Sequence, residues 1–428
     1  MLIKELYQIF IKHPQVSTDT RRIIKDSIFF ALKGENFDGN LFASSALENG
    51  AAFAVIDNEK YYINNGKYIL VDDTLGTLQL LAINHRQNFT IPFFGITGTN
   101  GKTTTKELIN SVLSQKYETL ATFGNLNNHI GVPLTILGIT NYTEIAIIEM
   151  GANHVGEIGE LCTIAQPDYG IITNIGKAHL EGFGSFEGII KAKNDLYKYI
   201  KNKKGKIFIN SNNELLINLS NNIDKITYGT SESDFCQGKL ISANPNVIIS
   251  YQSKDFNFNI KSNLVGSYNF ENIMAAICVG IYFNIDHHLI KKALETYIPT
   301  NSRSQVVKTE TNTLILDAYN ANPTSMEQAI INFSKMDSNN KVLIIGDMLE
   351  LGTYSLDEHQ SILNLIEKEN FKNVILVGKD FKTVNKNFLS FTTSDEARDW
   401  LKNNPILNST ILIKGSRGIK LEKIIDAI

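Results

Sequence analysis

At 428 residues, 43% hydrophobic and 20% charged, the chain has the composition of a globular protein of roughly two to four domains, not that of a disordered one. Its 41 lysines and arginines against 44 aspartates and glutamates leave a formal charge of −3, without the basic field that nucleic-acid binding requires. The three cysteines, Cys162, Cys236 and Cys278, stand far apart with no CxxC pair, which excludes a disulfide framework and a thiolate zinc site and fits a reducing cytoplasm.

The opening segment MLIKELYQIFIKH spaces Leu2, Leu6, Ile9 and Phe10 along one helical face, an amphipathic helix seeking a core. It lacks the apolar h-region and small-residue cleavage site of a signal peptide, so a cytoplasmic chain is expected. Short apolar strands follow at 27–31, 52–56 and 68–71, within a first domain of 1–88. A second domain, 89–300, opens with the strand IPFFGIT and repeats strand, loop and helix, with strands at 145–149, 170–175 and 206–210. A loop around 297–304, holding Pro299, leads into a third domain, 301–428, with strands at 313–317, 341–346, 374–378 and 410–414. Such alternation specifies an α/β fold built on mostly parallel sheets covered by helices. The best apolar run, 273–283, contains Gly280 and falls short of the ~20 residues a membrane span needs.

The strand IPFFGIT runs into GTNGKTTT, residues 98–105, and then a helix, the context a phosphate loop requires. Glycines let successive N–H groups converge on phosphate oxygens, and the helix N-terminus adds partial positive charge. Lys102 is placed to neutralise β- and γ-phosphates, and the Thr103 hydroxyl to ligate Mg²⁺. Where the general pattern has its first glycine this chain has Ile96, so the loop is a shortened G-x-x-G-K-T. A plain glycine-rich turn is the other reading of the same residues.

Phosphoryl chemistry also needs an acidic group at the end of a neighbouring strand. Glu149, closing the apolar run at 145–148, is the candidate, although a glutamate there can also cap the strand or pair with a lysine. His179 lies just beyond the strand expected at 170–175, where ligands of parallel sheets bind, yet a lone loop histidine is more often a surface or satisfied residue. On the helix that follows, composition alone assigns Lys191 and Lys193 to a solvated face.

Together these motifs resemble the Mur ligases, the ATP-dependent amide-forming enzymes of bacterial peptidoglycan synthesis. The resemblance covers nearly the whole chain. GTNGKTTTKE is the family's shortened phosphate loop; GNLNNHIGVPLTIL, EMGANHVGEI, NIGKAHLEGFGS and KAKNDL extend the match through the centre, and ILDAYNANPTSM, GDMLELG and LIKGSRG through the third block. At the N-terminus STDTR and FALKGENFDGN are similar to the family's uridine-nucleotide domain. The resemblance implies three domains: a small N-terminal α/β nucleotide-sugar domain, a central P-loop ATPase domain and a C-terminal Rossmann-like α/β domain.

It further implies that ATP contacts Gly98, Thr99, Asn100, Gly101, Lys102, Thr103 and Thr104, together with Asn269, Asn272, Arg303 and Asp317. For the last four, ordinary turn, cap and surface roles are the alternative. Thr103, Glu149, His179 and Lys193 would hold Mg²⁺, with Lys193 carbamylated, and Lys102, His179 and Lys193 would be catalytic. Thr20, Arg21, Lys33, Gly34, Asn128, Asn320 and Asn322 would contact substrate. The implied substrates are UDP-N-acetylmuramoyl-tripeptide and D-alanyl-D-alanine; the protein would be a monomer, with neither nucleic acid nor membrane as partner. An acyl phosphate would be the intermediate. Rival readings are a ligase of the same family that adds a diamino acid, a folylpolyglutamate synthase and a non-enzymatic nucleotide switch. Against the first, the third block carries AYNANP in place of a DNPR-type signature; against the second stands the STDTR block.

Overall fold

The computed structural model describes residues 2–253, 256–299, 303–338 and 340–428. The helix Ile3–Lys12 buries Leu6 and Phe10 as its periodicity requires. Leu2 does not join them: it is extended at the cap position and 72% exposed, because the helical face begins one residue later. A four-stranded parallel sheet follows, in the order Val16–Ser17, Ile28–Phe30, Phe53–Ile56, Tyr68–Leu70. The helix Thr74–Arg86, capped by Asp73, leads away from it. At its end Arg86 is buried and donates to the carbonyls of Ala165, Gln166 and Phe89, which pins this helix to the next unit.

The central sheet has nine strands. From one edge they are Phe256–Val265, Asn246–Ser253, Cys236–Ala243, Asp224–Gly229, Lys206–Asn210, Tyr169–Ile172, Phe93–Thr97, Ile145–Glu149 and Thr119–Ala121. Only Asn246–Ser253 runs against its neighbours. Phe93–Thr97 and Ile145–Glu149 are buried at every residue, the continuous apolar run of a strand covered on both faces. The antiparallel extension over 236–265 was not anticipated, although Val247, Ile249 and Tyr251 are buried at every second position. The strand expected at 170–175 stops at Ile172, because Thr173 and Asn174 turn aside to hold the phosphate loop.

A third sheet of six strands has the order Gln305–Lys308, Thr313–Asp317, Thr410–Lys414, Lys341–Gly346, Asn373–Val377, Leu389–Phe391, antiparallel only at its first pair. The expected boundary between 300 and 301, and residues 300–302 of the expected loop, lie outside the described residues. Phe93–Thr97 sits between Ile145–Glu149 and Tyr169–Ile172, so three loops leave the same sheet end side by side. No described helix is long and apolar enough to cross a membrane.

Candidate active site

The loop after Phe93–Thr97 curls because two glycines adopt backbone angles that side chains resist: Gly98 at φ +144° and Gly101 at φ +78°. Space is equally restrictive, since a Cβ on Gly98 would lie 2.0 Å from the Thr173 hydroxyl and one on Gly101 2.6 Å from Asn272 Oδ1. The neighbouring strand end secures the turn. Thr99 N–H donates to the Asn174 carbonyl at 2.9 Å, Asn100 N–H to Asn174 Oδ1 at 2.9 Å, and Thr173 Oγ1 to the Asn100 carbonyl at 2.6 Å. The helix Lys102–Leu113 then starts with the N–H groups of its first turn lacking intrahelical acceptors. Lys102 folds back, its Nζ donating to the Gly98 and Thr99 carbonyls at 2.8 and 3.0 Å. Burial lowers its pKa to about 8, with Glu149 opposing the shift and Arg303 adding to it. Gly98→Ala is expected to destabilise the fold by about 1–3 kcal/mol through backbone strain alone, read as a lower midpoint in thermal unfolding. An unchanged midpoint would mean the turn has room to relax.

Glu149 ends its strand 1% exposed, with no hydrogen bond or ion pair to a lysine or arginine among the described residues. Its Oε1 accepts from the Thr103 hydroxyl at 3.0 Å and from Asn127 Nδ2 at 2.7 Å. Oε2 is buried with no hydrogen-bond partner. Among the described residues no lysine forms an ion pair with Glu149, and one acceptor stays open. Asn127 was not singled out from the sequence; its neighbour Asn128 was, and Asn128 Oδ1 accepts from Gly131 N–H at 2.9 Å while lining the same cavity.

His179 lines the cavity with a left-handed backbone, φ +51°, and its Nδ1 meets the carboxylate of Glu350 from the third sheet's loops. On the helix Phe186–Lys203, Lys191 is exposed as composition suggested, but Lys193 is only 3% exposed. The correction follows from helix geometry: Ile189, Leu196, Tyr197 and Ile200 form the buried stripe, and Lys193 falls on it. Its Nζ stands 5.5 Å from the Phe183 ring centre and has no hydrogen-bond or ion-pair partner among the described residues. Burial and the nearby Lys102 push its pKa well down, Glu157 acting in the opposite sense.

A cavity of about 650 Å³ opens over the loop, walled by both the central and the third sheets' loops. Asn269 and Asn272 are buried and bonded to each other at 2.8 Å, and Asn272 Oδ1 accepts from Thr105 at 3.0 Å. They therefore buttress the loop from below while lining the cavity. Opposite, Arg303 stacks 3.8 Å from the Tyr319 ring centre with its Nε buried and unpartnered. Asp317 is held by Lys414 at 2.6 Å. Tyr319 and Lys414 were not foreseen; their only signal was their place inside the AYNANP and LIKGSRG stretches. Asn320 and Asn322 both line the cavity, and Asn322 also caps the helix Pro323–Ser334 and bonds Asn100 Oδ1 at 2.8 Å, joining the third sheet's unit to the phosphate loop. Thr20, Arg21, Lys33 and Gly34 do not line this cavity. Arg21 is paired with Asp19 and Lys33 with Asp57, on the N-terminal unit.

Family models for the Mur ligase middle domain and for the Mur ligase glutamate ligase domain match residues 96–280 and 302–417. The UDP-N-acetylmuramoyl-tripeptide–D-alanyl-D-alanine ligase of Bacillus subtilis is 37% identical over 96% of this chain and 92% of its own length. The chain belongs to the Mur ligase family. Its counterpart of the same name in Escherichia coli is 31% identical over 96% of the chain and 93% of that protein. Among solved Mur ligases, MurF from Acinetobacter baumannii superposes with a TM-score of 0.85 at 28% identity, covering 96% of this chain and 92% of that one. MurF from Thermotoga maritima in complex with ADP gives 0.84 at 26% identity, covering 96% of each chain.

Proposed function

We propose that the chain is an ATP-dependent, ADP-forming ligase that joins D-alanyl-D-alanine to UDP-N-acetylmuramoyl-tripeptide in peptidoglycan precursor synthesis. The observation that carries this reading is the phosphate loop opening into a cavity walled by two units, in a chain alike over nearly its full length to ligases of that name. The three larger sheets, one each within these bounds, support a division into a UDP-substrate domain, 1–88, an ATP-binding domain, 89–300, and a ligase domain, 301–428.

An amide forms from a carboxylate and an amine only once the carboxylate oxygen is made a better leaving group. A carboxylate oxygen of the tripeptide attacks the γ-phosphorus, the bond to the β–γ bridging oxygen breaks, and ADP and an acyl phosphate result. The dipeptide amine then attacks the acyl carbon, loses a proton, and expels phosphate. The first-turn N–H groups after Gly101 and the Lys102 ammonium hold the β- and γ-phosphates and take up charge as it builds on the bridging oxygen. Asn269, Asn272, Arg303 and Asp317 orient the rest of the nucleotide, Arg303 with an N–H still to be satisfied. Asn128 and Asn320 face the cavity where the acid and the dipeptide meet, Asn322 ties that wall to the loop, and Thr20, Arg21, Lys33 and Gly34 serve the uridine end.

The residues fit a magnesium ion: a buried carboxylate oxygen without a partner, beside a threonine hydroxyl, is a hard-oxygen donor set awaiting a cation. Thr103, Glu149 and His179 would hold it, with Lys193 once carbamylated. Bound there, the ion would offset repulsion between the carboxylate and the triphosphate. Lys193 suits its modification. Unpaired and buried, it favours the neutral amine, whose lone pair adds to carbon dioxide with loss of a proton to give an anion.

The test is a matrix of UDP-muramoyl peptides with different third residues against several dipeptides, following ADP. Release that requires both acid and dipeptide, and is fastest with D-alanyl-D-alanine, is the expected result. Release that needs neither would make the chain a nucleotide switch, and preference for a free amino acid would place it with the ligases that add one.

A further inference from the structure

Glu350 has no role in the reaction as set out above, yet it joins the third unit to His179 of the central one. Both partners hold left-handed backbones that non-glycine residues rarely adopt, His179 at φ +51° and Glu350 at φ +65°. Such conformations persist where the surroundings impose them, and they gather at functional sites. Here the surroundings are specific. Leading into Glu350, Met348 N–H donates to His359 Nε2 at 3.0 Å and Leu349 N–H to Ser416 Oγ at 2.9 Å. Asp347 accepts the N–H groups of Asp380 and Phe381 at 3.0 and 2.9 Å. Asp347, His359 and Asp380 lie close enough to suggest a metal cluster, but His359 spends its Nε2 on that backbone and its Nδ1 on the Ser355 carbonyl at 2.7 Å. The cluster is thus a brace for the loop that carries Glu350. From the other side, Glu181 N–H reaches the Glu350 carbonyl at 3.4 Å, and Gly352 lies so near Glu181 that a Cβ there would stand 3.2 Å from it.

We infer that Glu350 is a positioning residue: its carboxylate accepts the Nδ1 proton of His179, so that Nε2 is the nitrogen offered to a metal in the cavity. Nε2 has no hydrogen bond among the described residues, and His179 lines the cavity. Metal-binding histidines as a rule donate their other N–H to a carboxylate or carbonyl, which fixes both tautomer and ring orientation. What is particular here is the source. The carboxylate comes from a different sheet than the histidine, so the metal ligand is set only while the third unit is seated against the central one. The inference rests on the proposed metal role of His179. An ion pair across the same boundary, Lys177 with Glu358 at 2.7 Å, provides the comparison for plain docking.

The experiment uses the full chain with ¹⁵N-labelled histidine, the His179 ring being assigned from its loss in His179→Gln, and reads tautomer by long-range ¹H–¹⁵N correlation. Mn²⁺ binding in the presence of ADP, followed by electron paramagnetic resonance, is the second readout. Glu350→Ala is expected to move His179 away from the Nδ1–H tautomer and to weaken Mn²⁺ binding by about 10–100-fold. Glu350→Gln, which keeps an acceptor, should recover most of both; Glu350→Leu replaces the alanine variant if that one does not fold. An unchanged tautomer, or a loss of Mn²⁺ matched by Lys177→Ala, would overturn the inference and leave Glu350 a docking contact. If His179→Gln itself leaves Mn²⁺ binding intact, the metal role of His179 fails and the inference with it. Loss in His179→Gln with none in Glu350→Ala sinks the inference alone.

Discussion

Lys102→Ala is expected to cut turnover more than ~100-fold, because removing one charge-stabilising contact at a reacting phosphate typically costs about 3 kcal/mol or more. The ammonium is already anchored in the loop, donating to the carbonyls of Gly98 and Thr99. Burial and Arg303 work against its charge and Glu149 supports it, leaving the pKa at about 8. The sign of the pH dependence follows. The cation that attracts the triphosphate is present below pH 8 and is lost as pH rises through it, so kcat/KM for ATP in the wild type should fall on the alkaline side. The alanine variant should lack that limb. Steady-state ADP release across pH 6–10 checks both; turnover within a few-fold of wild type would remove the loop from the chemistry.

How far such a site can be read in advance depends on whether its cause is local. The phosphate loop was legible because its chemistry is written in eight consecutive residues, and the strands flanking it because a doubly covered strand carries a continuous apolar run, as the four residues before Glu149 do in Ile145–Glu149. Strand bounds at 313–317, 341–346 and 410–414 came out as expected for the same reason. Lys193 was misplaced by residue type alone; its spacing from Ile189, Leu196 and Tyr197 already put it on the inward stripe. The 236–265 hairpins went unseen because strands joined without helices break the rhythm used to find the others. The roles of Asn127, Tyr319, Lys414 and Glu350 were not legible: their parts depend on the meeting of segments far apart in the chain, such as Lys414 on Asp317 and Glu350 on His179. Sequence proximity to a motif marks such residues only as neighbours.

Lys193→Ala should also be nearly inactive, and the manner of its failure distinguishes a carbamate from a structural lysine. As an ammonium, Lys193 would be a poor occupant of its position: 3% exposed, unpaired among the described residues, with Lys102 near enough to oppose its charge. A buried unpaired charge costs several kcal/mol, more than most single interactions return. Addition of carbon dioxide replaces that cation by an anion facing Lys102, turning repulsion into attraction. Truncation to alanine removes the anion and leaves space where it stood. Acetate or formate, as small carboxylates, should then restore part of the turnover in a saturable way, while chloride at equal ionic strength should not. In the wild type, ¹³C-labelled bicarbonate should yield a carbamate resonance that is absent from the variant. A variant that is folded but unresponsive to short carboxylates, with no carbamate signal from the wild type, would return Lys193 to a packing role, its aliphatic stem against Phe183 and its nitrogen neutral.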